Sequence, residues 1–432
     1  MAKAATKTTA KKGGWKSKAK SEDYVSATDR LLNSYLEAIN NNVAPWQCIS
    51  VRRGDVFKPA NLLYNTPYRG FNRLTTGASL EANQNLSVEK YDIAKALYAE
   101  EVAAALRSKF ITFKKATEDF GCSMKGIQSN SSIYQPGSIY YTQPDGKKWV
   151  RKDDNGNFML PSKEEVDRFN LTAHRFAGSV MPVWSALNFV EEIPPQYIER
   201  LKKQIENLNL PPLPENASDY QTLSNDLCEA LGIKIVDTDI DFASGERTGG
   251  YYSVSNDSIH MRPFFMHENP DRYFKTVAHE CGHATGSASR LNRETLLEYA
   301  KEDNSPKEEL VAEITSSFVC SYFGIPTEGF YHQAYVKGYA NLLTESKKEL
   351  LNAAREAEKA SEYIIQAYEV FYEKKYGVSI KQNLDDVELD MGMDEEKISE
   401  AELDQRALVL DMEHSLPPTP EKNKEASYEM DM

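Results

Sequence analysis

Apolar and polar positions along the chain follow two periods. Thr28–Asn41 (TDRLLNSYLEAINN) and the longer run Leu86–Lys109 carry apolar residues at helical spacing. Short pieces of strand character lie around them: Ile49–Arg52, Ser138–Thr142 and Lys148–Arg151, the last two flanking the turn signal Pro144-Asp145-Gly146. This mixture predicts an α+β first region. Helical spacing over Pro195–Asn209 then leads into Pro211-Pro212-Leu213-Pro214, an expected interdomain linker. A second region opens with a helix, Tyr220–Leu231, and two strand-like pieces, Lys234–Asp237 and Gly250–Met261. It continues as helix over Asp271–Thr285, Pro306–Phe323 and Gln333–Tyr376. Gly286, just past the first of these three helices, is placed to cap it.

Charge adds two tails to this picture. The 432 residues carry a net charge of −14. Residues 1–20 hold seven Lys and no acid, whereas residues 385–432 hold sixteen Asp and Glu against four Lys and Arg. Such ends behave as solvated, disordered arms rather than folded surface. The expected organisation is a basic tail over 1–23, a domain over 24–195, a linker over 196–217, a mostly helical domain over 218–376 and an acidic tail over 377–432. No apolar run reaches 18 residues, so no membrane partner is expected. Cys48, Cys122, Cys228, Cys281 and Cys320 show no paired spacing, and the start of the chain lacks a secretory pattern. A reducing cytoplasm fits both observations.

The candidate chemistry sits in His279-Glu280-Cys281-Gly282-His283. Histidines at i and i+4 share a helix face and can reach one metal ion. Glu280 lies beside them, where it can take a proton from water polarised by that ion. The plain alternative is a helix with two buried, hydrogen-bonded histidines. A metal needs a third protein ligand, and Ser289 stands where a three-histidine pattern would continue. The next helix offers Glu309 and Glu313, four apart on one face; Glu309 is assigned as ligand and Glu313 as the partner that orients a histidine. Glu308 lies about 100° around that helix and is the weaker choice. Cys281 points to another face and reads as a small buried residue. A two-histidine, one-carboxylate set suits Zn²⁺ by default and other first-row ions as well.

These residues resemble a known family. Phe274–Arg293 (FKTVAHECGHATGSASRLNR), followed by Glu308–Glu313 (EELVAE), looks like the metallopeptidase domain of ArdC-type antirestriction proteins, and Tyr335–Ile364 resembles its closing helices. In the first region, Pro59-x-Asn61 and Tyr68-Arg69-Gly70-Phe71-Asn72 look like the family's single-stranded-DNA-binding domain. Ile111–Ala116 and Met124-Lys125-Gly126 match it more loosely. The resemblance implies a DNA-binding module joined to a zincin-like domain, in a bacterium, phage or mobile element, protecting incoming DNA from host restriction. Its partners would be single-stranded DNA and a protein substrate or component of a restriction system. Single strands are held by aromatic platforms and a basic track. Trp46, Arg52, Arg53, Asn61, Tyr68, Arg69, Phe71, Asn72, Arg73, Lys114 and Lys115 supply such groups. The ordinary alternative makes Tyr68 and Phe71 core residues and Asn72 a turn cap.

Overall fold

In a computed structural model, residues 26–380 are described except 42–44, 47–52, 83–87, 136–138, 153–158, 176–178, 239–249, 268, 302–303 and 328–332. The expected basic tail, the expected acidic tail beyond residue 380, the strand at Ile49–Arg52 and Arg52 itself therefore lie outside the described residues. The first region runs α1 (Ala27–Asn40), β1 (Ala60–Asn61), α2 (Gly70–Ala82), α3 (Val88–Tyr98), α4 (Glu100–Arg107), β2 (Lys109–Thr112), α5 (Phe113–Glu118), β3 (Ser131–Gln135), β4 (Ile139–Thr142), α6 (Lys163–Arg168), β5 (Thr172–Arg175), β6 (Ser179–Ser185) and α7 (Pro195–Glu206). The second runs α8 (Ala217–Ala230), β7 (Lys234–Asp237), β8 (Gly250–Ser253), β9 (Ser258–Met261), α9 (Pro270–Thr285), α10 (Glu294–Leu297), α11 (Asn304–Phe323), α12 (Gln333–Glu345) and α13 (Lys348–Tyr376). The class is α+β, as the periodicity implied.

The first region is built on a four-stranded sheet in the order β1-β2-β6-β3, in which β1 and β2 are parallel and the other pairs antiparallel. The long helix expected over Leu86–Lys109 is divided at Ala99, which has φ 91°, and its last residue opens β2. Lys109, Phe110 and Ile111 are fully buried there, so this segment forms a central strand instead of a helix end. The β3–β6 hairpin and the β4–β5 pair lie in one register: Gln135 faces Ser179 and Ile139 faces Arg175. Helix α7 is no linker; Tyr197, Ile198 and Leu201 close the first-region core against Leu62, Val102, Leu106 and Trp184.

A three-stranded sheet, β7-β9-β8, backs the second region. The stretch expected as one strand, Gly250–Met261, is a hairpin turning through Asp257, whose φ of 48° relieves the tight reversal. One face of the sheet supports α9 through Ile259, Met261, Phe274 and Val277. Helix α11 is buried almost all the way round, from Glu308 to Val319, and packs against α9, α12 and α13.

The two regions share a core. Leu32, Tyr35 and Ile39 of α1, with Trp46, Phe71 and Leu74, pack among Leu310, Ile314 and Phe318 of α11, Tyr339 of α12 and Leu350 of α13. This burial overturns part of the expected DNA surface. Trp46 and Phe71 are core rings and cannot serve as stacking platforms where they stand. Arg73 is buried too; its guanidinium lies 3.8 Å over the Phe318 ring and pairs with Glu358 of α13 at 3.2 Å. These groups look like a nucleic-acid surface in sequence because much of what covers them, Phe318, Tyr339 and Glu358, lies more than two hundred residues away.

Candidate metal centre

Helix α9 begins at Asn269, whose side chain accepts from the Asp271 N–H, with Pro270 in the first turn. Its second half, from Val277 to Thr285, is buried without interruption. Gly282 permits a close approach: a Cβ there would lie 3.1 Å from Ala312 Cα and 3.3 Å from Thr315 Cβ of α11. The missing side chain thus brings the His279-Glu280-x-x-His283 face against the helix that carries the acids. Gly286 is the C-cap of α9, as expected, and it has a second use. Its φ is −77°, and a Cβ would lie 2.8 Å from an Arg293 nitrogen, so glycine makes room for that guanidinium.

The two imidazoles are nearly perpendicular, with centroids 4.9 Å apart. Each turns Nε2 toward Glu309: His279 Nε2 lies 3.4 Å from Oε2 and His283 Nε2 3.5 Å from Oε1. One ligand atom from each of His279, His283 and Glu309 fits within 4.8 Å of the others. Tetrahedral coordination at zinc–nitrogen and zinc–oxygen distances sets ligand atoms about 3.4 Å apart, so the two nitrogen–oxygen separations match. Glu309 Oε2 is buried and accepts no well-formed hydrogen bond, as expected of an atom meant for an ion. Glu309 Oε1 accepts from the Tyr299 hydroxyl at 2.6 Å. The donor set fits a divalent metal.

Both Nδ1 atoms meet carboxylates. His279 Nδ1 lies 3.3 Å from Glu313, and His283 Nδ1 lies 3.2 Å from Glu308. Such contacts select the tautomer that leaves Nε2 for a metal. Glu313 stands where the sequence reading put it. Glu308 was the weaker choice there and turns out fully buried, serving the second histidine. The missed signal was its cation: Glu308 accepts from Arg293 Nε at 3.0 Å and Nη2 at 2.5 Å, and from Thr295 at 2.5 Å. Glu313 is likewise held by Lys275 at 2.7 Å.

The carboxylates around both histidines shift them toward the charged form. Burial opposes the charge on His279, but Glu309 and Glu313 outweigh it and raise its pKa to about 9. The same contest at His283, with Glu309 and Glu308 as partners, raises it to about 10. The acids move the other way. Burial would raise Glu308 and Glu313, yet Arg293 and His283 hold the first, and Lys275 and His279 the second, at about 2. Glu309 is held well below the ordinary range, against its burial, by the two histidines. Glu280 differs: burial pushes its pKa up, partly offset by the neighbouring histidines.

Cys281 faces the core, with its sulfur 3.9 Å from that of Cys228, so it is the small buried residue expected. His260 is engaged on β9 by Thr238 and Ser258 and stacks on Tyr251. Of the remaining DNA candidates, Asn61 caps a turn through the Leu63 and Tyr64 N–H groups. Asn72 both donates to and accepts from the Tyr134 backbone. Tyr68 is half-buried against Phe110, and Arg53 donates to the Pro211 carbonyl. Arg69 is exposed beside Glu362. Lys114, also exposed, lies near Glu118, and Lys115 near Asp119. Phe113, which the sequence reading passed over as a ring, is 52% exposed next to those lysines.

Residues 229–356, which include every member of this centre, match the model of a family described as zincin-like metallopeptidase. Two Escherichia coli proteins named DNA primase TraC are 36% identical over 121 residues and 38% identical over 126. Those stretches are 28% and 29% of this chain but only 11% and 8% of the relatives' lengths. An uncharacterized protein, y4eC, of Sinorhizobium fredii is 26% identical over 141 residues, 32% of this chain and 42% of its own. Over residues 229–356 the chain is therefore similar to zincin-like metallopeptidases. Its wider fold is that of the antirestriction protein ArdC from plasmid R388: the metal-free crystal structure of that protein superposes over 80% of this chain and 98% of its own, with a TM-score of 0.50 at 19% identity. Among the described residues no helix is long and apolar enough to cross a membrane.

Proposed function

We propose that this chain is a metal-dependent, metallopeptidase-like antirestriction protein that acts on DNA-associated substrates in a bacterial cytoplasm. His279, His283 and Glu309 hold the ion, and the nitrogen and oxygen donor set favours zinc. The observation that carries the reading is the convergence of both Nε2 atoms on the Glu309 carboxylate, one to each oxygen, with Oε2 buried and under-bonded. When bound, the metal supplies Lewis acidity, polarising a carbonyl and making water a stronger acid. Glu280 is the proton carrier. Its burial and raised pKa suit a carboxylate that takes a proton from the attacking water and returns it to the leaving amine. Tyr299 steadies Glu309 from the partly exposed side of the centre.

Single-stranded DNA is the proposed partner of the first region. The exposure of Arg69, Lys114 and the Phe113 ring, with Lys115 partly exposed next to Lys114, supports a role for these groups in meeting phosphates and bases. The ArdC fold supports an antirestriction role, with a restriction-system protein as the candidate peptide substrate.

The test is Glu280→Gln in metal-loaded protein. The variant should retain its metal and lose all cleavage of a peptide or protein substrate. Cleavage that persists refutes the role of Glu280. If Glu280→Gln protects incoming DNA as well as the wild type, protection rests on DNA binding and not on peptide hydrolysis.

A further inference from the structure

The geometry points to Arg293 and Glu308 as one positioning unit that places two of the three metal ligands at once. This assignment rests on the proposed metal centre. Arg293 lies beyond α9 and is buried. Its guanidinium donates to Thr285 at 2.8 Å, to the Gly282 carbonyl at 2.8 Å and, through two nitrogens, to Glu308. It therefore fastens the end of α9 to the start of α11. Two consequences follow from the same fork. Glu308 is fixed to accept from His283 Nδ1, which sets that ring's tautomer and direction. Glu308 also precedes Glu309, so anchoring one acid fixes the backbone from which the third ligand projects.

Charge and space support a dedicated arrangement. Glu308 has all its neighbours satisfied: Arg293 twice, Thr295 and His283. A planar fork matches a carboxylate where a lysine ammonium does not. Gly286 has no side chain where the guanidinium passes. The opposite histidine is served differently: Lys275, one turn earlier on α9, contacts Glu313 as a point charge. That contact spans α9 and α11 without tying the end of one helix to the start of the other. The Arg293 side is thus the stiff half of the centre, and the Lys275 side the more adjustable half.

Zinc affinity, measured by competition with a chromophoric chelator, and thermal unfolding of the metal-free protein test the assignment together. Glu308→Gln should stay folded and lose about 10- to 100-fold in zinc affinity. Arg293→Met leaves Glu308 buried without its cation and should lose both stability and zinc. The double variant Arg293→Met/Glu308→Gln should recover stability but not zinc affinity, whereas Arg293→Lys should recover part of the affinity lost in Arg293→Met. A matched control, Arg73→Met/Glu358→Gln, removes another largely buried pair and should leave zinc affinity unchanged. Near wild-type zinc affinity in the double variant overturns the positioning role. Wild-type protein that binds no zinc overturns the metal centre itself, and this assignment with it.

Discussion

Metal binding to this centre should expel about two protons at neutral pH. The perturbation is the addition of Zn²⁺ or Mn²⁺ to metal-free protein. With pKa values of about 9 and about 10, His279 and His283 are both protonated at pH 7, yet each must be neutral to ligate. Two ordinary histidines at about 6.5 would together hold only about half a proton at that pH. Ionisation of zinc-coordinated water near pH 7 adds at most about half a proton to either figure, so the contrast survives. Apparent affinity should therefore rise about 100-fold from pH 7 to pH 8, equivalent to about 2.7 kcal/mol. Calorimetric titration in buffers of different ionisation enthalpy counts the protons directly. A release of about one proton or less, with affinity rising about tenfold or less from pH 7 to pH 8, would refute the claim that the acids hold both rings charged.

The same pairs shape the stability of the metal-free protein. The histidines, raised above 6.5, stabilise fully below that pH and cease to do so as pH climbs through 9 to 10, whereas Glu308 and Glu313, depressed to about 2, stabilise above about 4.5 and lose this as pH falls toward 2. Chemical denaturation across pH should show greatest metal-free stability between about 4.5 and 6.5, and added metal should abolish the alkaline decline. Arg73→Ala strips the largely buried Glu358 of its cation and removes a contact with Phe318; it should cost about 2–4 kcal/mol in urea unfolding, while a loss of DNA affinity at unchanged stability would return Arg73 to the DNA surface. Gly282→Val forces bulk against the Ala312 backbone, and a melting temperature and metal affinity equal to wild type would contradict the close approach of α9 and α11. Lys114→Glu/Lys115→Glu should weaken single-stranded DNA binding and flatten its salt dependence by about one unit of slope or more; fluorescence anisotropy across salt would show it.

What could be read from the sequence was what local spacing controls. His279 and His283 follow from an i, i+4 step on one helix, and Glu309 and Glu313 from the same step on the next. Glu308 escaped because the helix was pictured with one face toward the metal and the rest toward solvent. In the fold, α11 is surrounded, so an acid 100° away reaches the same centre from another side through Arg293. Trp46, Phe71 and Arg73 failed for a related reason. A basic, aromatic turn has the composition of a nucleic-acid surface until Phe318 and Glu358 cover it, and no local pattern announces that contact. The strand at Lys109–Thr112 was hidden because it directly follows a run of helix-forming alanines that stops at Arg107.

Metal content of the purified protein, beside His283→Ala and Glu309→Ala, tests the central claim most directly. After exposure to zinc and removal of excess, the wild type should hold one ion per chain and each variant almost none. Equal metal in all three would show that the ion, if one is bound, lies elsewhere, and no metal in the wild type would show that these side chains are only a buried network of charge pairs.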